Sequence, residues 1–168
     1  MIHKYLDKEP SVAGACFIAQ SADLIGEVTA GKETSFWYNC TVRADNAPVT
    51  LGDRTNVQDN AVLHVNPGEP VTVGDDVTIG HNAIVHACTI GSRCIIGMGA
   101  IILDNAIIPD DSLVAAGSLV APGKTFESGY LIVGSPARAL RKLTEEELQM
   151  VRDNATHYVD IAKKSAKS

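Results

Sequence analysis

Aromatic side chains are scarce in this 168-residue chain: 3 Phe, 1 Trp and 4 Tyr amount to 5% of it. Any core must therefore be aliphatic, and an apolar content of 45% with 20% charged residues is enough to build one. Cations are few as well. Fourteen Lys and Arg face twenty Asp and Glu, a formal charge of −6, so no cation excess exists to neutralise the phosphates of a nucleic acid or an anionic membrane. No run is long and apolar enough to span a bilayer. The opening MIHKYLDKEP carries charges where a secretory leader needs an apolar stretch. These absences set the expectation of a cytoplasmic protein with no nucleic-acid and no membrane partner. The length suits one compact domain or an elongated repeat array.

What the chain has is a six-residue period. One residue in six reads Val12, Ile18, Leu24, Ala30, Phe36 and Val42; after an interruption Leu51, Val57 and Leu63; after a second, Val73, Ile79, Val85, Ile90, Ile96, Ile102, Ile108, Val114 and Val120. Of these 18 positions, 16 are Val, Ile or Leu. A small residue follows four places later, as at Cys16, Ala22, Cys40, Ala61, Ala83, Cys94 and Ala100, and Gly often follows the aliphatic directly. A helical period of 3.6 would not keep this register, whereas short strands separated by turns would, with Gly or Asn permitting the turn backbone. Three hexads per triangular coil make an all-β parallel β-helix of about six three-sided coils, each paired with the next at roughly 4.8 Å. The predicted organisation is an N-terminal segment over 1–11, the repeat array over 12–125, a linker over 126–143 and a C-terminal helix over 144–164. Thr144 with Glu147 forms a capping box for that helix, whose apolar stripe runs Leu148, Val151, Ala155, Tyr158, Val159 and Ala162. Three of the four cysteines fall on the small inward position and no CxxC pair exists, so four free thiols are expected.

Three histidines cluster in LHVNPGEPVTVGDDVTIGHNAIVH. His64 follows Leu63 and His86 follows Val85, and the intervening interruption makes their 22-residue spacing one full coil. They are predicted to stack one rung apart, close enough for two imidazoles to share one metal. His81 sits two residues after Ile79, on a different face, with Asp59 one rung beneath. The economical arrangement has His81 completing the site of a neighbouring chain, three chains around a threefold axis forming three sites. Arg43 shares the His64 column, and Gln58 is the better catalytic candidate because an amide orients a nucleophile without adding charge. Arg43, Asp45 and Asp59 read equally as an interface salt-bridge network with no part in chemistry.

The coil signature resembles the hexapeptide-repeat proteins, whose coil is left-handed. Within them VRAD (42–45), GDRTNVQDN (52–60), LHV (63–65) and IGHNAIVH (79–86) resemble the gamma-class carbonic anhydrases and their bacterial relatives. The resemblance implies a homotrimer with zinc, or iron or cobalt, held by His64 and His86 of one subunit and His81 of the next. It implies that Gln58 and Asn56 position solvent and substrate, and that Arg43, Asp45 and Asp59 form the interface ion-pair cluster. The implied reaction is the reversible hydration of carbon dioxide to bicarbonate by a metal-bound hydroxide. The interruption after His64 is only VNPGEP, with Glu69 its single acid, and Asn46 follows Asp45; this matches the short-loop branch of the family, whose members also resemble acyl-CoA thioester hydrolases. A metal-free hexapeptide acyltransferase and a non-catalytic structural trimer complete the alternatives.

Overall fold

The aliphatic period is spent mostly on strands of two or three residues, which aim its side chains into the coil. In the computed structural model, which describes residues 1–167, 17 of the 18 periodic positions are buried and Ile18, in the first rung, is partly so. The small residues four places on are buried too, apart from Cys16. The result is a parallel solenoid consistent with the left-handed β-helix expected. One face is the column Phe17–Ile18, Ser35–Phe36, Asn56–Val57, Thr78–Ile79, Ile95–Ile96, Leu113–Val114 and Tyr130–Gly134, all pairing in parallel.

That column has seven rungs, one more than the six expected. The extra rung comes from Ile132, which continues the period beyond Val120, pairs with Val114 and is fully buried. Residues 126–143, expected as a linker, therefore carry structure: Ala137–Lys142 folds back antiparallel on Tyr130–Gly134 and ends the column. At the other end Ile2–His3, in the segment 1–11, pairs with Leu24 and Ile25 and covers a strand edge. The two remaining faces are one sheet, because the 11-residue strand Thr41–Leu51 turns the corner. Its start pairs with Val62–His64 and its end with Val71–Val73.

The glycines serve a different purpose from the one expected. Left-handed corner positions are filled by Asn39, Asn60, Asn82 and Asn105, with φ of 58–59°, whereas the glycines that follow the aliphatic residues are not among the positive-φ positions. They answer to rung spacing. A Cβ at Gly97 would lie 2.5 Å from the Ala116 nitrogen, and one at Gly52 2.7 Å from the Asp75 nitrogen, so any side chain there would push the rungs apart.

Helix α1, Glu145–Ser165, begins at Thr144 with both halves of the capping box formed: Glu147 N–H donates to Thr144 Oγ1 (3.2 Å) and Thr144 N–H to Glu147 Oε2 (2.9 Å). Val151, Ala155, Val159 and Ala162 are its buried stripe. It lies along the seven-rung face, against Phe17–Ile18, Ser35–Phe36 and Asn56–Val57, and Lys163 holds Glu33 at its far end.

Two predictions follow from this packing. Ile102→Ala should cost about 2–5 kcal/mol, because a stacked rung cannot collapse into the cavity, while Thr144→Ala should cost only about 1 kcal/mol; urea denaturation orders the two. Hydrogen bonds from Arg141 and the Thr144 N–H hold the Glu147 carboxyl down at about 2, against an ordinary 4.5. Because the folded value lies below the unfolded one, its stabilisation is complete above about pH 5 and is lost as pH falls towards about 2. Glu147→Gln should remove that acid-side loss, measured by thermal unfolding across the pH range.

Candidate metal centre

Register places the first two ligand candidates. Val62–His64 and Ile84–His86 are adjacent parallel strands with His64 directly opposite His86, and Arg43 is opposite His64 on the rung below. The rings of His64 and His86 are tilted with centroids 5.1 Å apart, and His64 Nδ1 lies 3.0 Å from His86 Nε2. The far nitrogen of each ring is engaged by a carboxylate. Asp45 Oδ1 accepts from His64 Nε2 at 3.3 Å, and Asp104 Oδ1 accepts from His86 Nδ1.

These outer contacts fix the tautomers. With Nε2 of His64 and Nδ1 of His86 carrying the protons, the two nitrogens that face one another both present lone pairs. Two lone pairs 3.0 Å apart repel unless a positive group sits between them. A tetrahedral ion with bonds near 2.0–2.1 Å places two imidazole nitrogens about 3.3–3.4 Å apart, close to the observed separation. The donor chemistry therefore fits a zinc-class cation.

Local electrostatics also suit neutral ligands. Burial first, then the positive charge of Arg43, lowers the His64 pKa and favours the neutral imidazole that binds metals. Burial opposes ionisation of Asp45, but its ion pair with Arg43 and its backbone hydrogen bond outweigh that and lower its pKa. The hydrogen bond from His86 does the same for Asp104.

His81 is elsewhere. It lies in the corner after Thr78–Ile79 and pairs through Nδ1 with Asp59 Oδ2 at 2.7 Å. Among the described residues of the single chain, no three His, Cys, Asp or Glu side chains are placed to hold a metal together. Asp59 thus partners His81 and not Arg43, while Arg43 pairs with Asp45.

Gln58 and Asn56 occupy the same corner, nearly fully buried. The His81 backbone N–H donates to Gln58 Oε1 (3.2 Å), which forces Gln58 Nε2 to donate to Asn56 Oδ1 (3.1 Å). Asn56 Nδ2 then donates to Thr78 Oγ1 (2.9 Å), and the Thr78 hydroxyl donates to Asn154 Oδ1 on α1 (2.9 Å). One backbone N–H at the head of the chain sets the polarity of every amide in it.

Asp104, Thr78 and Asn154 were not foreseen from the sequence. Asp104 had a findable signal, since it lies near the His64–His86 column one rung above. Asn154 had none, being 76 residues from its partner Thr78. The four cysteines are free, with Cys40, Cys88 and Cys94 buried and Cys16 partly so.

Comparison with known proteins agrees with the scaffold. Residues 70–104 match the family model for the bacterial transferase hexapeptide (six repeats), and residues 88–122 the hexapeptide repeat of succinyl-transferase. A carbonic anhydrase of Geobacillus kaustophilus is 41% identical over 160 residues, covering 95% of this chain and 88% of the relative. Gamma carbonic anhydrase 1, mitochondrial, of Arabidopsis thaliana is 42% identical over 166 residues, covering 95% of this chain but 60% of the longer plant protein. A hexapeptide transferase family protein from Anaplasma phagocytophilum superposes with a TM-score of 0.93 at 40% identity, covering 97% of this chain and 96% of the other. The stacked coils and histidine-bearing corner thus define a hexapeptide-repeat protein. Within that class, the chain belongs to the gamma-class carbonic anhydrase family.

If Asp104 orients His86 for a metal, Asp104→Asn should weaken zinc binding by about 10–100-fold. Titration against a competing chelator measures this, and unchanged affinity would leave the carboxylate without that role.

Proposed function

We propose that the protein is a metal-dependent carbonic anhydrase-like enzyme, a lyase acting on carbon dioxide and bicarbonate at sites shared between the subunits of a homotrimer. The observation that carries this reading is the pair of ring nitrogens of His64 and His86 that face one another 3.0 Å apart, each ring backed by a carboxylate. His81 supplies the third nitrogen from a neighbouring subunit, since in its own chain it is turned to Asp59. Such a set suits zinc, with iron or cobalt as further candidates. Bound there, the ion would supply a Lewis acid that lowers the pKa of water to about 7.

The chain's own residues do the rest. Gln58, with its carbonyl oxygen tied to the His81 N–H, retains one amide hydrogen beyond its bond to Asn56. A neutral amide in that position can orient the solvent nucleophile towards the substrate carbon without cancelling the charge that activates it. Asn56 and Thr78 keep that amide from rotating. Proton release is served poorly. Glu69, the acid of the short interruption, accepts from Asn105 (2.9 Å) and Asn66 (2.8 Å), and these bonds lower its pKa, making it a weak base. Slow hydration compared with longer-loop family members is the consequence. The four free cysteines suit a reducing compartment such as the cytoplasm.

The close fit to a hexapeptide transferase family protein supports a second reading, a hexapeptide acyltransferase that works without a metal. Stopped-flow hydration of carbon dioxide by zinc-loaded protein separates the two. His81→Ala should lower kcat/KM by about 100-fold or more, and Gln58→Leu should lower kcat by about 10²–10³-fold. A wild-type rate no higher than that of His81→Ala overturns the proposal.

A further inference from the structure

The corner that carries Gln58 and His81 also opens into a half-open pocket of about 150 Å³, with helix α1 forming one of its walls. Its inner wall is Ile95, Ile96 and Gly97 of the next rung. That wall cannot retreat, because the following rung is stacked against it, with the Ala116 nitrogen 2.5 Å from where a Gly97 Cβ would stand. Met98, 61% exposed, is the flexible group at the pocket's edge. The outer wall is Asn154 and Tyr158, four residues apart and therefore on one face of α1.

Both helix residues are held. Asn154 accepts from the Thr78 hydroxyl at 2.9 Å. The Tyr158 ring meets Trp37 edge-on, with centroids 5.6 Å apart and planes at 86°. Trp37 is in turn braced by Phe17 at 5.0 Å and by its Nε1 donating to Ser35 Oγ at 3.1 Å. Four of the chain's eight aromatic residues, counting Tyr38 against Phe17, make this one cluster.

We infer that Tyr158 is the size filter of the site: its braced ring narrows the half-open pocket beside His81 and Gln58 and restricts it to substrates of a few heavy atoms. A volume of about 150 Å³ is that of a site holding a six-atom ligand such as benzene, whereas pockets for drug-sized ligands run to about 300–1,000 Å³. Carbon dioxide and bicarbonate enter; a long-chain acyl thioester does not. The inference rests on the proposed chemistry for the nature of the reacting atoms, but the filter itself is a matter of volume.

Binding of straight-chain carboxylates from formate to hexanoate tests it, by calorimetry on zinc-loaded protein with carbon dioxide hydration measured alongside. Wild type should bind acids up to about butyrate, six heavy atoms, and lose longer ones. Tyr158→Ala should extend binding by two carbons or more, Tyr158→Leu should be intermediate, and Tyr158→Phe should reproduce the wild-type limit. A limit that stays put in folded Tyr158→Ala and Tyr158→Leu, or wild type that binds no carboxylate of any length, overturns the filter. A limit that moves in a protein whose wild type hydrates no carbon dioxide supports the filter and overturns the carbonic anhydrase reading.

Discussion

Parallel pairing between successive rungs is the constraint on which everything else in this molecule depends. Most strands are only two or three residues long, so no rung is stable alone, and neighbours must bury the aliphatic column together. The register is unforgiving, because a slip of one residue would turn every inward Ile or Val to solvent. His64 is opposite His86 only because Leu63 is opposite Val85 and Val62 opposite Ile84. The extra residues between them are looped out around an Asn66–Glu69 bridge, which absorbs the length without shifting the pairing. The facing geometry of the two imidazoles is thus inherited from a hydrophobic one.

Upon that scaffold the polar groups form two separate systems. One is the imidazole pair with its carboxylates Asp45 and Asp104, in which a nitrogen of each ring faces the other. The other is the amide chain from the His81 backbone through Gln58, Asn56 and Thr78 to Asn154. In a single chain the two systems lie at different places on the coil, the first on the strand face and the second in the corner covered by α1. Their union through a symmetric neighbour is what the proposed function requires. Helix α1 is more than a cover, since Asn154 ends the amide chain and Tyr158 bounds the adjoining pocket.

Relatives with the same coil carry different names, carbonic anhydrase and hexapeptide transferase among them. This is expected where a repeat scaffold supplies rigidity and the chemistry resides in a few side chains at the rung edges. In the proposed function those side chains are three imidazoles and a polarised glutamine, and the inferred filter is the volume beside them.

The six-residue period was enough to determine the architecture, because burial along a stacked coil is a local, repeated requirement. The capping box at Thr144 and Glu147 likewise marked the helix start, both partners being three residues apart. The alignment of Arg43, His64 and His86 followed from counting residues per coil. The seventh rung at Ile132 was hidden by the largely polar stretch PGKTFESG that separates it from Val120, and the glycine roles were misjudged because rung spacing is invisible along the chain. The outward groups that work across distance were decided only by the fold: Asp104 behind His86, Asn154 reaching Thr78 and Tyr158 braced on Trp37. Inward residues answer to their neighbours in sequence, whereas a hydrogen bond between a helix and a coil answers to how the two are laid together.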